Sequence, residues 1–184
     1  MMLNLINNDK TDKNTTHSYI ELYESLLHSK KLTAKKVLEV GIQRGGSIKL
    51  WHDYFTNATI YGLDIIPLTE TWDKIQCEPR IKLGRFDAYD VKFFNENFLG
   101  KVEFDMMLDD GPHTLESMKQ FIVLYTQVMA DDGILIIEDV QAIEWLDELT
   151  KVVPKHLKEY ISTYDLRHIK NRYDDIVFVI NKQR

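Results

Sequence analysis

Apolar positions along the chain recur with two periods, near two and near 3.6 residues, and the switching between them lays out the elements. Val37, Leu38 and Val40 read as a short buried strand. Gly41 then marks a sharp turn, and Gly45-Gly46 opens an amphipathic helix through Ile48, Leu50, Trp51 and Phe55. Upstream, Tyr19, Ile20, Leu22, Tyr23, Leu26 and Leu27 fall at helical spacings and predict a helix over 18–29, with Thr15 and Thr16 as candidate caps. That helix precedes the first strand and is free to cover the open edge of a cleft. Its aromatics read as core rather than as substrate contacts. The polar stretch 1–13 has no period and is expected to be loose until docked. Four more strand patterns follow at 58–64, 81–85, 104–110 and 133–139, alternating with helical patterns at 91–99 and 114–129. A helix over 144–151 leads to strand patterns at 161–166 and 175–180, and the eight residues between those two cannot hold a crossover helix, so they should pair antiparallel. The predicted fold is α/β: a doubly wound, seven-stranded, mostly parallel sheet with an antiparallel last strand. One domain is expected over 1–184, with 1–35 as a helical leader or lid.

Composition narrows the classes. Hydrophobic residues make up 44% and charged residues 28%, and the longest apolar runs are strand-sized, so no membrane span is expected. The amino terminus lacks a basic start and a sustained apolar stretch, which argues against a secretory signal and for the cytoplasm. Cys77 is the one cysteine, too few for an intramolecular disulfide or a thiolate metal site. A net charge of −6 argues against a nucleic acid partner and favours a small-molecule or glycan substrate. The basic residues of the tail, among them Arg167, Lys170 and Arg172, read as solvated surface. A homo-oligomer is left open.

The candidate chemistry lies at predicted strand ends, where ligands of doubly wound sheets bind. Three residues separate Gly41 from Gly45 and no Gly-x-Gly exists, so the dinucleotide fingerprint is missing. Asp64 ends the second strand about twenty residues on, placed to accept from both hydroxyls of a ribose. Asp87, past the third strand, is placed either to accept from an adenine amino group or to form a turn. Asp109 and Asp110 end the fourth strand, and Glu138 and Asp139 the fifth. Four carboxylates on neighbouring strands repel unless a proton or cation intervenes. Oxygen ligands favour Mg²⁺, Mn²⁺ or Ca²⁺, while helix capping is the competing explanation of the same acids. His113, beside such a cluster, is the candidate base for deprotonating an alcohol.

Glu39-x-Gly41-x-x-x-Gly45 resembles the first motif of class I S-adenosylmethionine (SAM) methyltransferases. The wider set, Tyr61 to Ile65, Arg85 to Asp90, Asp109-Asp110-Gly111-Pro112-His113 and Gly133 to Val140, resembles the metal-dependent sugar O-methyltransferases of macrolide biosynthesis. Thr11-Asp12-Lys13 and His17-Ser18-Tyr19 also look like that group. The resemblance implies SAM and Mg²⁺ as cofactors and a sugar hydroxyl as acceptor. It implies Asp110, Glu138 and Asp139 as metal ligands, His113 as base, and Glu39, Gly41, Gly45, Asp64, Asp87 and Asp109 on the cofactor side. Rival readings are a non-catalytic SAM-binding subunit and a nucleotide-linked oxidoreductase.

Overall fold

The structure is a computed structural model and describes residues 1–183. Its centre is a seven-stranded sheet built from β1 (Lys36–Val40), β2 (Thr59–Asp64), β3 (Ile81–Arg85), β4 (Phe104–Asp109), β5 (Met129–Ile137), β6 (Ile161–Asp165) and β7 (Ile176–Asn181). The order is β3-β2-β1-β4-β5-β7-β6. Pairings from β3 through β5 are parallel, and β7 inserts antiparallel between β5 and β6. The sequence-based fold class is therefore the one observed. The short connection before β7 contains one helical turn, α7 (Arg167–Lys170), closed by Asn171 at φ 57°. One turn reverses the chain without crossing the sheet.

The other helices are α1 (Ile20–Leu27), α2 (Gly46–Tyr54), α3 (Asp73–Gln76), α4 (Val91–Asn97), α5 (Leu115–Tyr125) and α6 (Trp145–Val152). The pleat sends alternate strand residues to opposite faces. Leu38, Val40, Met107, Leu135, Ile137 and Phe178 pack with α5 and α6. Val37, Ile60, Met106, Leu108, Ile136 and Val179 pack with α1 and α2. On α5, Met118, Phe121, Ile122 and Tyr125 repeat at three- and four-residue spacing and are all buried. Each such side chain contributes about 1.5–3 kcal/mol by leaving water. Thr114 caps α5 in a reciprocal box with Ser117.

Two boundaries differ from the pattern reading by more than two residues. β5 begins at Met129, not 133, because Phe104 pairs with Met129 across a bulge before the ladder resumes at Met106 and Ile134. Asp131 and Asp132 lie exposed within the strand. The helix expected to run to 129 ends as α5 at Tyr125 and tightens into a 3₁₀ turn over Thr126–Val128. The leader, expected to be loose until docked, is docked, with Met2 and Lys13 fully buried.

Two glycines fix where the cleft can form. Gly41 has φ 81°, and a Cβ there would stand 1.8 Å from the Asp110 carbonyl oxygen, so the turn after β1 and the end of β4 touch only because that position is bare. A Cβ on Gly46 would meet the Lys10 carbonyl oxygen at 2.2 Å, which seats the leader against the start of α2. Gly41→Ala should lower stability by more than about 2 kcal/mol, through strain and displacement of the β4 end, read as a fall in the urea midpoint at unchanged slope.

Candidate active site

Strand register sets the site. Val40 pairs with Asp109 and Asp109 with Ile137, so Gly41, Asp110 and Glu138 stand level one step beyond the sheet. Parity then sorts the acids. Asp109 points to the α5 face, where it accepts from the Tyr89 hydroxyl. Glu39, Asp110 and Glu138 turn to the α1 and α2 side, and there they meet Lys13. Its ammonium donates to Asp110 Oδ2 at 2.7 Å and to Glu138, and lies 3.4 Å from Glu39 Oε1. Glu39 also accepts from Trp51 Nε1 at 2.9 Å. Tyr23 donates to the second oxygen of Glu138, and Tyr19 to Asp139. His17 Nδ1 lies 2.7 Å from Asp175 Oδ1 and 3.2 Å from Asp139 Oδ1.

Burial governs the electrostatics. It pushes Asp109 up to about 7 despite the Tyr89 hydrogen bond, and Glu39 up to about 7 despite Lys13. Burial, joined by repulsion from Asp110, also raises Glu138 and Asp139 against the pull of Lys13 and His17 respectively. For Lys13 itself burial opposes the charge, but Asp110, Glu138 and Glu39 outweigh it and hold the ammonium well above the usual lysine range. The Tyr19 and Tyr23 hydroxyls are raised too, by burial and then by the adjacent carboxylates, so they stay protonated and donate.

Two adjoining hollows of about 370 Å³ each open over this cluster and share Gly41, Gln43 and Asp110. The first lies under the leader, between residues 8–12 and the turn after β1, with Asp110, His113 and Asp139 on its wall. One ligand-type atom from each of these three lies within 4.8 Å of the others. His113 Nε2 is 3.7 Å from Asp110 Oδ1 and 3.6 Å from Asp139 Oδ2. His113 and Asp139 both hold positive φ, 53° and 55°, conformations that non-glycine residues keep only when the surroundings impose them. The second hollow runs past the ends of β2 and β3, lined by Asp64, Ile65, Phe86, Asp87 and Tyr89. There Asp64 Oδ2 accepts from the amides of Ile42 and Gln43, at 2.9 and 2.8 Å, and ties the glycine turn to β2. Asp87 is exposed and accepts from the Tyr89 amide at 2.9 Å, a turn-forming bond.

The structure thus brings Asp110, His113 and Asp139 together at the cleft and sets Gly41, Asp64 and Asp87 around it. Gly45, at φ 78°, caps α2 against Ile75. Glu39, Asp109 and Glu138 are buried behind this surface and line neither hollow, with side chains committed to Lys13 and Trp51, to Tyr89, and to Lys13 and Tyr23. Lys13, His17, Tyr19, Tyr23 and Tyr89 had been given no part in the site. A lysine in a polar leader carries no periodic signal, and the tyrosines fit a core pattern equally well.

Parallel strands in this order, closed by an antiparallel β7 and carrying a glycine turn after β1 and acids at the strand ends, define the class I SAM-dependent methyltransferase fold. MycE from mycinamycin biosynthesis, solved with Mg, SAH and mycinamycin VI, superposes with a TM-score of 0.72 at 20% identity, over 92% of this chain and 50% of that one. A putative rRNA methylase from Clostridium thermocellum gives 0.66 at 15% identity, over 89% and 96%. In sequence the chain is similar to mycinamicin VI 2''-O-methyltransferase of Micromonospora griseorubida, 31% identical over 119 residues. It is likewise similar to demethylmacrocin O-methyltransferase of Streptomyces fradiae, 33% identical over 119 residues. Each match takes in 60% of this chain and 28% of the relative, so the chain corresponds to less than a third of those proteins. No family model matches the chain.

Among the described residues, no helix is long and apolar enough to cross a membrane. Tyr23→Phe should strand the Glu138 oxygen that Tyr23 now satisfies and lower stability by about 1–3 kcal/mol, measured by urea denaturation beside the exposed control Tyr173→Phe.

Proposed function

We propose that this chain is a SAM- and Mg²⁺-dependent O-methyltransferase domain that methylates a sugar hydroxyl. The observation that carries the reading is the meeting of Asp110, His113 and Asp139 on the wall of the first hollow, with Asp110 shared by the second. Similarity to enzymes named as sugar O-methyltransferases supports the acceptor class. The residues suit both cofactors. Gly41 leaves bare backbone between the hollows, Asp64 and Asp87 flank the second, and the donors facing the first are two carboxylates and an imidazole.

Asp110 and Asp139 would hold the divalent ion from the cleft wall. Glu138, now held by Lys13 and Tyr23, would add negative charge from behind and complete the ligand set with an oxygen released from either. SAM would supply an electrophilic methyl group with SAH as leaving group, and a divalent ion lowers the pKa of an alcohol it holds. His113 Nε2, with its side chain 30% exposed, would be accessible to take the proton of the acceptor hydroxyl. The leader, with Lys13 inserted below and residues 8–12 along the rim, acts as the lid that excludes water. The acceptor is a small glycosylated molecule or glycan, and the acidic chain is read as acting in the cytoplasm without a nucleic acid partner.

Labelled SAM offered with a panel of sugar acceptors should give EDTA-sensitive methylation, restored by Mg²⁺. His113→Ala should lower turnover about 10²–10⁴-fold while SAH affinity by calorimetry moves less than about threefold. Full turnover in EDTA and in His113→Ala, or thermal stabilisation by NAD in place of SAH, would remove the proposal.

A further inference from the structure

The chemistry proposed above gives Lys13 no role beyond filling the lid's underside, yet its side chain is among the largest fully buried ones in the chain. A buried ammonium persists only where it is paired. The three carboxylates around Lys13 are not equivalent. Glu39 lines neither hollow and shares its charge with Trp51 Nε1. Glu138 gives one oxygen to Lys13 and the other to Tyr23. Asp110 alone reaches both sides: Oδ2 takes the ammonium at 2.7 Å, while Oδ1 lies 3.7 Å from His113 Nε2. Lys13 therefore divides the acidic cluster into an inner half that it neutralises and an outer half open to the cleft.

We infer that Lys13 is a positioning residue that sets the divalent-cation affinity of the Asp110–His113–Asp139 site, by cancelling inner carboxylate charge and by aiming Asp110 Oδ1 outward. This rests on the metal-dependent reading above. Without the ammonium, a dication would face Glu39 and Glu138 unscreened in a low-dielectric interior and be held more tightly. Loss of the ammonium would also free the Glu138 oxygen that Lys13 now holds to reach the ion.

The charge arrives with the leader. Lys170 fixes the same segment from outside, donating to the carbonyls of Asn14, Thr15 and His17, the last at 2.6 Å. Cation affinity and the seating of the leader are thus linked through one side chain.

The test is Mn²⁺ binding to the full chain without SAM, by calorimetry and electron paramagnetic resonance, for wild type, Lys13→Met and Lys13→Met/Glu39→Gln. Glu39 faces away from the cleft, so the double variant restores the net charge without altering a cleft-facing carboxylate. Lys13→Met should bind Mn²⁺ at least about tenfold tighter, and the double variant should return to within about threefold of wild type. A purely structural lysine would leave affinity unchanged or weaken it. Unchanged or weaker binding in folded Lys13→Met overturns the inference, as does a double variant more than about threefold weaker than wild type. Should Lys13→Met not fold, Lys13→Gln, which also removes the charge, is measured in its place against the same two outcomes. Wild type that takes up no Mn²⁺ removes the metal-dependent reading together with this inference, whereas wild-type uptake with Lys13→Met unmoved removes the inference alone.

Discussion

The rest of the structure depends on neutralising buried negative charge at the carboxyl edge of the sheet. Parity and register force Glu39, Asp110 and Glu138 to the same side of three adjacent strands. Carboxylates so close in a low-dielectric interior repel by several kcal/mol per pair at an effective dielectric near 20. Lys13 and the hydroxyls of Tyr19 and Tyr23 answer that repulsion, and all three come from residues ahead of β1. The leader is therefore part of the sheet's electrostatics. Its aromatic stack, His17 on Tyr19 at 5.0 Å and Tyr23 against Trp51 at 5.6 Å, packs the same residues that donate to the acids.

The glycine turn plays the complementary part. A bare Cα at Gly41 lets β1 and β4 end in contact, and that contact is where the two hollows meet. Asp64 then holds the turn open from the β2 side through two backbone amides. One hollow is consequently walled by polar leader and loop residues, the other by Ile65, Phe86 and Tyr89 together with three acids. A charged reacting centre and a flat aromatic ligand want those two environments side by side, and the switch point of a doubly wound sheet supplies them.

Much of this was legible in the residues. The short apolar run of Val37, Leu38 and Val40, the helical repeat of Met118, Ile122 and Tyr125, and the shortness of the link before β7 were enough for the fold class, because each is a local signal with one common tertiary solution. The convergence of Asp110 and Glu138 also followed, since neighbouring parallel strands end level. Boundaries slipped where local chemistry ran against the ladder, as at Asp131-Asp132, which sit exposed inside β5.

The sequence by itself determined the fold class, the antiparallel ending and which acids share an edge, because each is written in local runs, repeats and connection lengths along the chain. Only the tertiary structure decided what meets those acids. Lys13 lies 97 residues from Asp110 and 125 from Glu138, and no repeat, spacing or composition connects them. The same holds for the side chains that turn Glu39, Asp109 and Glu138 inward while Asp110 and Asp139 face the cleft. Parity sets the side of the sheet, but whether an acid is held inward is set by what packs against its strand end, Lys13 of the leader for Glu39 and Glu138 and Tyr89 for Asp109.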